Sequence, residues 1–196
     1  VSLCKTILMQ PQADPCSAPV CQDDIDRRYQ DDSLLLINKP SGLLSLSGKH
    51  PLNKDSVHYR LVQDFPTATL LHRLDFGTSG IMLVALSKPI NGLLTKQFQD
   101  RTVEKAYTAV LFGELANEEG VIDLPIAKGE FPLQKICHAE GKPALSHYKV
   151  LARLDNRCTK VEFTPRSGRT HQLRIHSREI GHPILGCDLY ATDEAF

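Results

Sequence analysis

Three short segments carry side chains that could do chemistry. The first is His72-Arg73-Leu74-Asp75, followed by Thr78-Ser79-Gly80. Its aspartate offers a nucleophile or general base, since a carboxylate is ionised at neutral pH. Arg73 offers a phosphate or base contact. A polar segment placed just before an apolar strand holds its side chains on a rigid edge, a common way to build an active site. The same residue types also suit a turn cap or a surface ion pair, and alone they do not decide. The second segment is Lys105-Ala106-Tyr107, whose Lys and Tyr emerge on one face if the segment is extended. A Tyr there can stack on a base and exchange a hydrogen bond, or can simply be a half-buried strand residue. The third runs from Arg166 to His176. If helical from about Arg169, it aligns His171, Arg174 and Arg178 on one face. Such a cationic stripe suits phosphate or carboxylate binding, and a solvated basic face is the plain alternative. His171 and His176 have no carboxylate at helical spacing, which argues against a metal site.

These segments need elements to hold them. Ser33 to Asn38 has strand character and closes in the turn Lys39-Pro40-Ser41-Gly42. Asp55 is placed to cap a helix running to about Asp64, with Val57, Leu61 and Val62 inward. Gly80 to Leu86 is apolar on both faces and reads as a central strand. Pro89 opens a helix to about Asp100 with Ile90, Leu93, Leu94 and Phe98 on one stripe. Val103 to Phe112 reads as a strand, and 118–126, 133–138, 145–153 and 158–164 supply more. A helix over Arg169 to Ile180 ends at Gly181, and the turn Gly181-His182-Pro183-Ile184-Leu185-Gly186 has a structural role. Strands adjoin strands, so the fold class expected is α+β, with a mixed, mainly antiparallel central sheet flanked by helices. Residues 1–28, with three prolines and no sustained period, read as an irregular arm; residues 29–196 form the domain.

Composition narrows the function. The 196 residues suffice for one sizeable domain, and no stretch approaches the apolar length of a membrane helix. Charge is balanced at 23 basic and 23 acidic residues, so any attraction to nucleic acid must come from local patches. One patch gathers Lys160, Arg166, Arg169, Arg174 and Arg178 against Glu162. An acidic bias lies instead in Asp23, Asp24, Asp26, Asp31 and Asp32. The six cysteines form no CxxC pair and no leader is visible, so reduced thiols and a cytoplasmic location are expected. No surface stripe demands a partner, and a monomer is expected.

Taken in order, the segments resemble one family. Lys39-Pro40-Ser41-Gly42-Leu43, then His72-Arg73-Leu74-Asp75 with Thr78-Ser79-Gly80, then Lys105-x-Tyr107, then Gly168-Arg169-Thr170-His171-Gln172-Leu173-Arg174-x-His176, then Gly181-His182-Pro183-Ile184-x-Gly186, resemble the RluA family of pseudouridine synthases. The match spans roughly residues 29 to 191. The segment around Tyr29 to Asp32 and the KPSGLLS run resemble its small subgroup without an S4 domain, which acts on both rRNA and tRNA.

The resemblance implies a pseudouridine synthase fold and an isomerase that converts uridine to pseudouridine in rRNA or tRNA loops. It implies Asp75 as the catalytic aspartate, Arg174 as its basic partner, and Tyr107 as the residue that stacks on the uracil. It also implies that Arg73 fills the gap left by the flipped base and that His72, Arg169, His171 and Arg178 contact RNA. Base flipping is physically required, because the reacting atoms are hidden in a stack, and unstacked loops cost least to open. No cofactor and no metal are implied, because the reaction is redox-neutral. Two departures stand out. Gly186-Cys187-Asp188 displaces by one residue the acid that relatives place after His-Pro-Ile-x-Gly, and a final C-terminal strand is expected to be missing. A binding-only RNA protein of the same fold and a nucleoside hydrolase are the alternatives; the latter lacks the second carboxylate of usual glycosidases.

Overall fold

The computed structural model describes residues 18–154, 157–191 and 195. The chain divides into two compact units, residues 1–96 and 97–196. Most of the N-terminal arm expected from the sequence lies outside the described residues.

In the first unit, β1 (Asp26–Gln30), β2 (Leu34–Lys39), β3 (Thr69–Leu70) and β4 (Gly80–Ala85) form an antiparallel sheet in the order β1-β2-β4-β3. Strand β1 begins at Asp26, within the last residues of the span read from the sequence as an irregular arm. All five β1 residues are exposed, so no apolar alternation announces the strand. Its charged side chains suit an unpaired sheet edge. In β2, alternation sends Leu35, Ile37 and Lys39 to the same buried face, and Met82 and Val84 of β4 join them. Strand β4 is central, but its second face is open in part: Ile81 is 55% exposed.

Helix α1 (Val57–Asp64) buries Val57 and Leu61 as expected, but its cap is Ser56 rather than Asp55. Ser56 Oγ accepts from Tyr59 N at 3.1 Å. Asp55 is engaged elsewhere, accepting from Arg60 Nε at 2.7 Å and its terminal nitrogen at 2.6 Å. That bidentate pair holds the Asp55 carboxyl below its ordinary range. Helix α2 (Lys88–Gln99) follows β4; its expected stripe is incomplete, because Leu93 is 63% exposed.

The second unit contains β5 (Tyr107–Phe112), β6 (Glu119–Asp123), β9 (Leu145–Leu154) and β10 (Cys158–Pro165), antiparallel in the order β5-β10-β9-β6. The short strands β7 (Ile126–Lys128) and β8 (Gln134–Ile136) pair separately. Strand β5 starts later than the expected Val103. Its ladder with β10 begins at the pair Tyr107–Phe163, and two residues further along β10 stands Pro165, which has no N–H to give. Leu111, Ile122, Tyr148, Val161 and Phe163 form the core, with the Tyr148 and Phe163 rings edge to face at 6.5 Å.

Helix α3 (Gln172–Glu179) also starts later than expected. His171 sits before it with a left-handed backbone, φ 55°, so it is not the helical residue that the stripe of 171, 174 and 178 requires. Ile175, His176 and Ser177 are the buried side of α3 with Gln172, while Leu173 and Ile180 pack partly on the core. The α+β class stands, with every paired strand of the sheets antiparallel. No helix of the described residues is long and apolar enough to cross a membrane.

Candidate active site

In the first unit, Asp75 lies in a loop whose neighbours on both sides are fastened to the turn after β2. Ser45 Oγ donates to Leu74 O at 2.7 Å and accepts from Leu74 N at 3.1 Å. On the other side, Gly42 N donates to Phe76 O at 2.9 Å and Ser41 Oγ to Gly77 O at 3.0 Å. Thr78 N closes the turn onto Asp75 O at 3.0 Å. Gly42 adopts φ +76°, a conformation a side chain would oppose, and so brings its N–H to Phe76. The Asp75 side chain is half-buried and Arg73 is exposed.

Lys39, which opens the turn expected from the sequence, is a support of this loop. Its side chain is fully buried, and its ammonium donates to Leu43 O at 2.7 Å, Pro40 O at 2.8 Å and Phe76 O at 3.3 Å. Those three acceptors match the three donors of an ammonium. Burial pushes its pKa down to about 8, against the opposing pull of Cys21 and the Asp75 carboxylate. The signal was available in its spacing, two residues from Ile37 and four from Leu35, which puts it on the inner face of β2. His72 is likewise tied to the scaffold: its Nε2 accepts from Leu83 N of β4 at 3.2 Å.

In the second unit, Tyr107 opens β5 and packs half-buried against the core. Lys105 lies before that strand, so the shared strand face expected for Lys105 and Tyr107 does not exist. Arg174, its side chain only 14% exposed, faces Asp188 across 3.4 Å. The displaced acid therefore still meets a basic residue, while the intervening Cys187 turns inward beside Ile175 and Tyr190. His171 Nδ1 lies 2.9 Å from the Tyr190 hydroxyl, which also accepts from Gln134 N at 2.8 Å. Arg178 is exposed in the last turn of α3.

A buried polar network holds this segment. Gln172 Oε1 accepts from Ser167 Oγ at 2.8 Å and from Arg169 N at 3.0 Å, and its Nε2 donates to Ser146 Oγ at 2.9 Å. Ser146 Oγ lies 3.0 Å from His176 Nδ1, and His176 Nε2 lies 3.0 Å from Leu124 O. A carbonyl can only accept, so Nε2 carries the proton and Nδ1 takes the hydroxyl hydrogen. Burial lowers the His176 pKa and keeps the ring neutral. Gln172 and His176 escaped the sequence reading as site supports because both are polar residues on an inward face.

The unit also contains a cleft of about 440 Å³ lined by Arg101, Lys105, Arg166 and Arg169, with Glu104 as its acidic residue. Arg169 is thus on a basic surface, its Nε donating to Pro143 O at 3.1 Å.

Comparison with known proteins identifies the family. Residues 33–179 match the family model described as RNA pseudouridylate synthase. The dual-specificity RNA pseudouridine synthase RluA of Yersinia pestis is 48% identical over 169 residues, which cover 85% of this chain and 82% of that protein. Its counterpart in Escherichia coli strain K12 is 44% identical, over 85% of this chain and 77% of that protein. Among solved structures, human RNA pseudouridylate synthase domain containing 1 superposes with a TM-score of 0.73 at 29% identity, covering 90% of this chain and 74% of that one. The chain with the fastened Asp75 loop therefore belongs to the RluA-type RNA pseudouridylate synthases, isomerases that act on RNA.

Proposed function

We propose that this protein isomerises uridines in rRNA or tRNA loops, with Asp75 as the catalytic carboxylate. The observation that carries the reading is the anchoring of both neighbours of Asp75, Leu74 by the Ser45 hydroxyl and Phe76 by the Gly42 backbone N–H. A reacting carboxylate gains from being held in place before the substrate arrives. In the reaction the N1–C1′ bond breaks, the uracil turns, C5 bonds to C1′, and the C5 proton is lost while N1 gains one. Atoms and electrons balance within the nucleotide. Tyr107 stacks on the uracil and is the candidate for the C5 proton transfer; Arg174 supplies the positive charge that keeps a carboxylate ionised. Arg73, exposed next to the loop, fills the stack after base flipping. Arg169, Arg178 and His171 contact RNA, and His72 serves chiefly to fix the loop.

The test is to incubate the protein with unmodified tRNA and, separately, rRNA, then digest to nucleosides and separate them. Pseudouridine in wild-type digests and none with Asp75→Asn supports the reading, and the responding RNA names the substrate. Free uracil with an abasic strand would instead identify a hydrolase.

A further inference from the structure

The end of α2 contains a conformation that its sequence makes costly. Thr102 N donates to Gln97 O at 3.0 Å and Arg101 N to Phe98 O at 3.3 Å, the two bonds that end a helix through a left-handed residue. That residue is normally glycine; here it is Arg101, with φ 57°. Glycine would make the same two bonds without strain. Four cationic side chains, Arg101, Lys105, Arg166 and Arg169, line one cleft against one acidic residue, Glu104. Burial, with a smaller contribution from the Arg101 charge, lowers the Lys105 pKa. Among the described residues, no ion pair involves Arg101, Lys105 or Arg166. Backbone strain and like-charge repulsion are both retained at one spot, and an anion bound there would offset them.

We propose that this cleft seats a nucleotide of the RNA strand other than the reacting uridine, with its phosphate on Arg101, Lys105 and Arg166. The inference rests on the RNA-acting function above. None of Asp75, Tyr107 and Arg174 lines the cleft, so it is not assigned to the reacting base. Its volume of about 440 Å³ exceeds what a phosphate alone needs, and Phe98, Val103 and Pro165 provide an apolar side for a sugar or base.

The experiment compares wild type with Arg101→Gly, Arg101→Lys and Lys105→Met, measuring melting temperature and affinity for unfractionated tRNA and rRNA over a salt series. Arg101→Gly is expected to raise the melting temperature by about 2–4 °C. It should weaken RNA binding about 3–10-fold and make the salt slope shallower by about one. Arg101→Lys, which keeps the charge and the strained backbone, should hold affinity within about twofold and gain no stability. Lys105→Met should repeat the loss of affinity from another element. Unchanged affinity and slope in Arg101→Gly, with a wild type that binds and modifies RNA, would overturn the cleft alone. A lower melting temperature in that variant would overturn the strain on which it rests. A wild type that neither binds nor modifies RNA would remove the function and the cleft together.

Discussion

Lys39 shows how a buried charged residue can hold the loop that carries Asp75. It is buried in the inner face of β2, and each of its donors reaches a carbonyl of the turn or of the loop carrying Asp75. Lys39→Met keeps the apolar stem and removes those donors, and the buried Leu43 carbonyl left without its ammonium costs about 1–3 kcal/mol. The variant should be less stable and, because Phe76 O keeps only its bond from Gly42 N, slower in turnover at saturating RNA. Its pH dependence has a defined sign. The folded pKa of about 8 lies below the ordinary 10.5, so the unfolded chain holds the proton over that window. Stability relative to Lys39→Met should therefore rise from pH 8 to 10.5 and be flat below 8. Urea melts of both proteins across this range check it, and a difference that does not change with pH would contradict the burial of a charged ammonium.

Among the elements, α1 and β6 each turn on one residue. Ser56→Ala should cost about 1 kcal/mol by removing the helix cap, a loss measurable by urea denaturation. A larger loss from Asp55→Ala than from Ser56→Ala would mean that the Arg60 pair outweighs the cap. In β6, Gly120 stands opposite Tyr148, whose ring crosses it so closely that a Cβ would lie 2.5 Å from the ring. Tyr148 is buried and packed on Phe163, so it cannot swing away cheaply. Gly120→Val should destabilise by about 1–3 kcal/mol through overpacking, read from the same melts. Elements with apolar periodicity were legible in the sequence: β2, β4, α1, β9 and β10 lie within a few residues of their expected places. Strand β1 was not, because an edge strand with five exposed residues has no inward face to mark it. The start of α3 was missed for a different reason. Gln172 folds back to accept the Arg169 N–H, and His171 takes a left-handed conformation that residue type alone does not announce.

At the scale of the whole molecule, zero net charge has to be reconciled with an anionic substrate. Basic side chains concentrated in one cleft answer this, because counterion release depends on phosphates neutralised locally rather than on total charge. Affinity for tRNA or rRNA should fall with salt, each phosphate contact contributing about −0.7 to −0.9 to the slope of log K against log salt. A flat response would contradict electrostatic gripping of the backbone. The candidate site was legible in outline because its motifs are contiguous runs whose chemistry shows in residue types. What holds those runs was not: Lys39, Ser45, Gln172 and His176 act through backbone carbonyls and buried partners that only folding brings near.

The central claim, that this chain rearranges uridine in RNA through Asp75, is tested most directly by tritium release from RNA labelled at uridine C5. Wild-type protein should release tritium to water in step with pseudouridine formation, and Asp75→Asn should release none while still binding the RNA. Equal release by both proteins, or uracil freed without rearrangement, would contradict it.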